Sequence, residues 1–148
     1  MLSFKNIARV ISALVMILIS FYAARAEPSL SFDKGIDKTA MKGLVHEIPA
    51  SYFDGITAVY FSKTPYRYDR GTATVGMFYR NSITLYNVKS YSLSFVKKVL
   101  LHELGHNHWV KLSQEEQQTY CSGEVTDSCE EQFADEFAET HGNVQAAA

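Results

Sequence analysis

Residues 102–106 read His102-Glu103-Leu104-Gly105-His106, near the end of a segment whose apolar spacing predicts a helix over 92–108. In a helix the two histidines, four positions apart, project from one face about 40° apart, so their imidazoles can share one cation. Zinc suits them: it is a borderline-soft ion that accepts neutral nitrogen donors and, at catalytic sites, takes three protein ligands and a water. Glu103 lies beside them, where it can draw a proton from that water as general base. With His102 set to zero, Leu93, Phe95, Val96, Val99, Leu100 and Leu104 fall between about 20° and 200°, which predicts the buried side. Glu103 sits near the middle of that arc and His106 at its edge. An unpaired carboxylate buried there would be costly, so a metal-linked role accounts for it better than a solvated face does.

A third ligand is needed. The longer pattern His-Glu-x-x-His-x-x-Gly-x-x-His would require glycine and histidine where this chain has Trp109 and Leu112, so the remaining choice is a carboxylate. On a last predicted helix, 128–141, Glu131 and Asp135 are one turn apart beside Phe133, Ala134, Phe137 and Ala138, while Gln132, Glu136 and Glu139 occupy the opposite, solvated arc. Glu131 is expected to bind the metal and Asp135 to hold a histidine ring through its free N–H. Two alternatives stand beside this. Ser128-x-x-Glu131 has the form of a capping box, in which the glutamate folds back on the helix start and cannot reach a metal, and Glu130 is the other ligand candidate. His108 points to the opposite side of its helix from His106 and is expected to be structural or exposed. Tyr120 is a candidate for hydrogen-bonding the oxyanion of a transition state, or else a packing aromatic.

Upstream, Ile36, Ala40, Met41, Leu44 and Val45 form one helical stripe ending before Pro49. Three β-rich segments follow, 56–62, 73–79 and 82–87, the last two reading as a hairpin about Arg80-Asn81. The loop 63–71 reads as exposed. Ser113 with Glu116 predicts a capped helix start over 113–120. The order is helix, small sheet, then helices, an α+β arrangement.

At the N-terminus Lys5 and Arg9 precede an uncharged run from Val10 to Ala24, closed by Ala24-Arg25-Ala26. This predicts a signal peptide over 1–26 and one domain over 27–148; the alternative, an uncleaved anchor, would need roughly 20 apolar residues to span a bilayer. Loss of Lys5, Arg9 and Arg25 lowers the basic count from 14 to 11 against 16 acids, a net charge of −5. No basic residue follows Lys111, and the acidic last quarter argues against nucleic acid as a partner. Export would place Cys121 and Cys129 where thiols oxidise, predicting a disulfide that contributes on the order of 2.5 kcal/mol; the alternative, zinc thiolates, lacks the usual close Cys pairing.

His102-Glu103-Leu104-Gly105-His106 followed by Glu131-Gln132-Phe133-Ala134-Asp135 resembles the gluzincin metallopeptidases. The run Glu130-Glu131-Gln132-Phe133-Ala134-Asp135-Glu136-Phe137-Ala138 is most similar to the compact peptidases related to anthrax lethal factor. The resemblance implies a zincin-like α+β domain: an N-terminal helix, a small mixed sheet with an edge hairpin, the helix carrying the paired histidines and a C-terminal glutamate-bearing helix. It implies one zinc ion on His102, His106 and Glu131, water activation by Glu103 and a supporting role for Asp135. The edge strand Thr74, Val75, Gly76, Met77, Phe78 and Tyr79 would pair with an extended peptide or protein substrate. The family's tyrosine near the third ligand has no match, because Tyr120 lies farther upstream, behind Cys121. The expectation is a monomeric zinc peptidase, an endopeptidase rather than an exopeptidase, periplasmic or secreted and not held in the membrane once its leader is removed. Its rivals are a non-catalytic zinc-binding module on the same frame and an amidase acting on cell-wall peptides.

Overall fold

The structure, a computed structural model, describes residues 27–67 and 73–142. The expected leader, residues 1–26, the later part of the 63–71 loop with residue 72, and residues 143–148 lie outside the described residues. Strand β1 (Ser29–Phe32) leads into helix α1 (Lys38–His46), a 3-10 turn over Ala50–Phe53 and strand β2 (Ala58–Phe61). The short strands β3 (Tyr66–Arg67) and β4 (Ala73–Thr74) pair with each other, and β5 (Gly76–Tyr79) and β6 (Ser82–Leu85) form a hairpin. Helices α2 (Leu93–Trp109), α3 (Gln114–Tyr120) and α4 (Asp127–Gly142) complete the described chain, so the class is α+β.

The main sheet has the order β1-β2-β6-β5, with β1, β2 and β6 parallel and β5 antiparallel at one edge. Alternation decides its faces. Val59 and Phe61 of β2 and Ile83 and Leu85 of β6 are fully buried, while Tyr60 between them is exposed. These four side chains join Val96, Leu100 and Leu104 of α2 in one core, which also takes in Met41, Leu44 and Val45 from α1. Burial of each such side chain contributes about 1.5–3 kcal/mol. The hairpin turn is the expected Arg80-Asn81 pair, with Arg80 in the left-handed region at φ 56°.

Three features depart from the sequence reading. β1 falls before Ile36, where the sequence predicts no element; Leu30 and Phe32 alternate with serines over only four residues, too short a period-2 signal to stand out. The strand expected over 73–79 is broken at Val75 into β4 and β5. Leu93 and Phe95, placed on the buried arc of α2, are 48% and 40% exposed, whereas Leu101, Gly105 and Trp109, outside that arc, are buried. The reason is that α2 is covered on two sides, by the sheet and by α4, and its packed length begins at Val96.

The approach of α4 depends on one residue of the His102–His106 stretch. A Cβ added at Gly105 would lie 2.7 Å from the Ala134 Cα, inside contact distance. Only glycine lets the two helix backbones come this near. α4 itself starts one residue earlier than expected. Thr126, not Ser128, caps it, its Oγ1 accepting the Cys129 N–H at 3.2 Å, so the capping-box alternative for Glu131 is overturned and its side chain is free to face α2. Ser113 does form its box with Glu116. Cys121 and Cys129 are bridged, with their Cα atoms 5.9 Å apart. No helix of the described residues is long and apolar enough to cross a membrane.

Candidate metal centre

His102 and His106 project from α2 toward α4, their rings 4.9 Å apart and nearly perpendicular. The Nδ1 of His102 lies 2.9 Å from the Asp135 carboxylate, and the Nδ1 of His106 lies 2.8 Å from that of Glu130. Carboxylates accept, so each Nδ1 carries the hydrogen and each Nε2 is left with its lone pair. Those two Nε2 atoms face each other at 3.2 Å. The Glu131 carboxylate closes the third side, with Oε2 3.4 Å from His102 Nε2 and Oε1 3.6 Å from His106 Nε2. With the rings in that tautomer three acceptors converge, an arrangement that a cation between them would stabilise. His102, His106 and Glu131 could hold a metal ion, one ligand atom of each lying within 4.8 Å of the others.

The spacing of α4 explains how three acids serve two rings. Glu131 and Asp135 are one turn apart and share the face that meets α2, while Glu130 precedes Glu131 and reaches His106 from the side. Asp135 does what the sequence reading assigned to it. Glu130, weighed there only as an alternative ligand, holds the second ring instead, and a second carboxylate beside the first is the signal that could have predicted it.

Glu103 is 6% exposed, on the buried side as expected. Burial pushes its carboxyl up to about 7, opposed by neighbouring His102 and by a backbone hydrogen bond from Phe78, with Glu131 adding to the rise. Room for it is made by Gly76: a Cβ there would lie 2.7 Å from the Val99 side chain and closer still to Glu103 Oε1. A glycine inside a β-rich run signals such close approach, and the sequence reading passed over it.

The buried carboxyl carries a stability consequence. Below pH 4.5 it is neutral in the folded and unfolded chains alike and costs nothing. As pH rises toward 7 the unfolded chain ionises it first, so the folded state is progressively penalised, and above about 7 the penalty is constant. Glu103→Gln should therefore stabilise the metal-free protein by about 1–3 kcal/mol at pH 8 and hardly at all at pH 4.5. Thermal melts of both proteins in chelator at the two pH values would measure this, and a difference independent of pH would show that burial does not strain the group.

The centre opens into a cleft of about 630 Å³. One wall is formed by Ala73 to Phe78, the floor by Phe95, Lys98 and Val99 of α2. In the hairpin, the Tyr86 N–H donates to Val75 O at 2.9 Å, and the alternation of an antiparallel ladder then turns Met77 and Tyr79 toward β6 and the backbone groups of Gly76 and Phe78 outward. Thr74 to Phe78 line the cleft, with Thr74 in β4 and Gly76 to Phe78 in β5 at the edge of the main sheet. Tyr79 does not; it sits at the hairpin turn under the Arg80 guanidinium, 61% exposed.

Tyr120 is likewise not brought to the centre. Its ring packs edge-on against Trp109 and Phe133, away from the residues that line the cleft. Burial first, then the Glu136 carboxylate, pushes its hydroxyl up to about 12. Its packing between Trp109 and Phe133 fits the packing alternative and not the oxyanion role. His108, on the far side of α2 as expected, lies between Tyr52 and Phe137, and burial lowers its pKa.

Comparison of the chain with protein-family models, with curated proteins and with solved structures gives no match.

Proposed function

We propose that the chain is an exported zinc metallopeptidase on a zincin-like frame, cleaving peptide bonds in a segment laid along β5. The observation that carries this reading is the meeting of His102, His106 and Glu131 around one point, with Glu103 in the same cleft beside β5, the edge strand of the sheet among the described residues. Zinc is favoured by the donors and their spacing. Bonds of 2.0–2.1 Å in a tetrahedron place ligand atoms about 3.3 Å apart; here the two Nε2 atoms are 3.2 Å apart and each lies 3.4 or 3.6 Å from its nearer Glu131 oxygen, with one ligand atom of each residue within 4.8 Å of the others. A structural zinc site is closed by a fourth side chain, whereas three ligands beside an open cleft leave room for a reacting group. That, together with Glu103, favours an enzyme over a zinc-binding module.

When bound, zinc would polarise the scissile carbonyl and acidify water. The other tasks fall to the chain. Asp135 and Glu130 hold the rings so that both Nε2 lone pairs point inward. The outward groups of Gly76 and the outward carbonyl of Phe78, whose N–H is taken by Glu103, offer an extended peptide strand-like hydrogen bonds, which fix the position of the bond to be cut. Glu103 takes the proton from the attacking water and returns it to the departing amine. A carboxyl whose pKa is raised toward neutrality is suited to both transfers. The Cys121–Cys129 bridge supports export, since such bonds persist in oxidising compartments.

The test is elemental analysis of the purified protein together with digestion of a peptide library. One zinc per chain and cleavage that stops with a chelator and returns with zinc are expected. A protein that binds no zinc, or a zinc-loaded one that leaves the library intact, overturns the proposal.

A further inference from the structure

The third metal ligand stands at a weakly held place in the fold. Glu131 is the fifth residue of α4, and its side chain is 61% exposed. The buried side chains of that helix, Ala134 and Ala138, both come after it, and α3 buries none. Helix ends open locally at little cost, so Glu131 belongs to a turn that packing alone would let fray. Two of the bonds in that turn do not anchor it: the Thr126 cap is local, and the Glu130 bond to His106 is part of the metal centre itself.

The disulfide supplies an anchor. Cys129, two residues before Glu131, is bonded to Cys121, which caps the C-terminus of α3. α3 is in turn fixed to the end of α2, where the Gln117 amide donates to Trp109 O at 3.0 Å and the Tyr120 ring packs on the indole. Two further links between α3 and α4, the Tyr120–Phe133 ring contact and the interaction of the Tyr120 hydroxyl with the Glu136 carboxylate, are both made after Glu131. A path of one hydrogen bond, one ring contact and a covalent bridge therefore runs from the histidine helix through α3 to the turn that bears Glu131. We infer that the Cys121–Cys129 bridge is a positioning element of the metal centre, holding Glu131 within reach of His102 and His106. The inference rests on the metal-binding reading proposed above.

A double-mutant cycle on the full chain tests it. Zinc affinity would be measured by competition with a chromophoric chelator for Cys121→Ser/Cys129→Ser, for Glu131→Ala and for the triple variant, with far-UV circular dichroism confirming that each is folded. Removing the bridge should weaken zinc on the order of tenfold when Glu131 is present and change it less than about twofold when Glu131 is already alanine. Should the serine variant fail to fold, the same titrations on folded wild type and Glu131→Ala, reduced by a water-soluble phosphine, give the contrast. There the phosphine passes two electrons to the bridge, water supplies the two protons and the oxygen, and two thiols and a phosphine oxide result. Equal losses in both backgrounds, or no loss in either, overturn the positioning role while leaving the metal site intact. A wild type that binds no zinc overturns both.

Discussion

Glu103→Gln is expected to bind zinc as tightly as the wild type and to lose peptidase activity by about 10²–10⁴-fold in kcat/KM, the range that general-base catalysis commonly supplies. The substitution keeps the shape of the side chain and an oxygen that can accept the Phe78 N–H, so the edge strand and the space beside Gly76 are undisturbed. What it removes is the capacity to take a proton. Neither ring is held by Glu103, since Asp135 and Glu130 hold both Nδ1 atoms, and zinc affinity should be unaffected. Metal content by elemental analysis and turnover of one cleaved peptide separate the two effects. A variant that retains zinc and full turnover removes Glu103 from the mechanism, and one that loses zinc makes it a ligand.

The second large effect concerns adjacent residues with unequal roles. Glu131→Ala should weaken zinc on the order of 10²–10³-fold, because it deletes one of three donors. Glu130→Ala should weaken it on the order of tenfold, because it deletes only the acceptor that orients His106. The sequence alone offers Glu130 only as an alternative ligand; its 2.8 Å bond to the ring is what assigns it this smaller effect. Competition titrations on the two variants resolve the order. A larger loss for Glu130→Ala would move the ligand by one position.

Much of this centre could be read from residue spacing, because a helix turns separations of four into shared faces. His102 with His106, and Glu131 with Asp135, share faces by that rule, which also gives the buried position of Glu103 but leaves open the choice between Glu131 and Glu130. The hairpin was legible for the same kind of reason, its two β-rich runs being separated by a two-residue turn. What escaped depends on contacts between distant parts of the chain. Whether Ser128 or Thr126 caps α4 is settled by where the loop after Cys121 delivers the chain, and both residue types cap well. Tyr120 lies beside the right cysteine, but Trp109 and Phe133 claim its ring. β1 is a strand by virtue of pairing with β2, for its four residues carry little signal of their own.

The contact between Gly105 and Ala134 constrains how this protein can drift. Position 105 has no atom left to give up, so enlargement at 134 has no compensating partner across the seam and must be absorbed by tilting α4. Any tilt is transmitted to Glu131 less than one turn away, which ties the tolerance of an inert methyl group to the geometry of a charged one. Diversity among functional variants should accordingly be narrower at 134 than its chemistry, taken by itself, would demand.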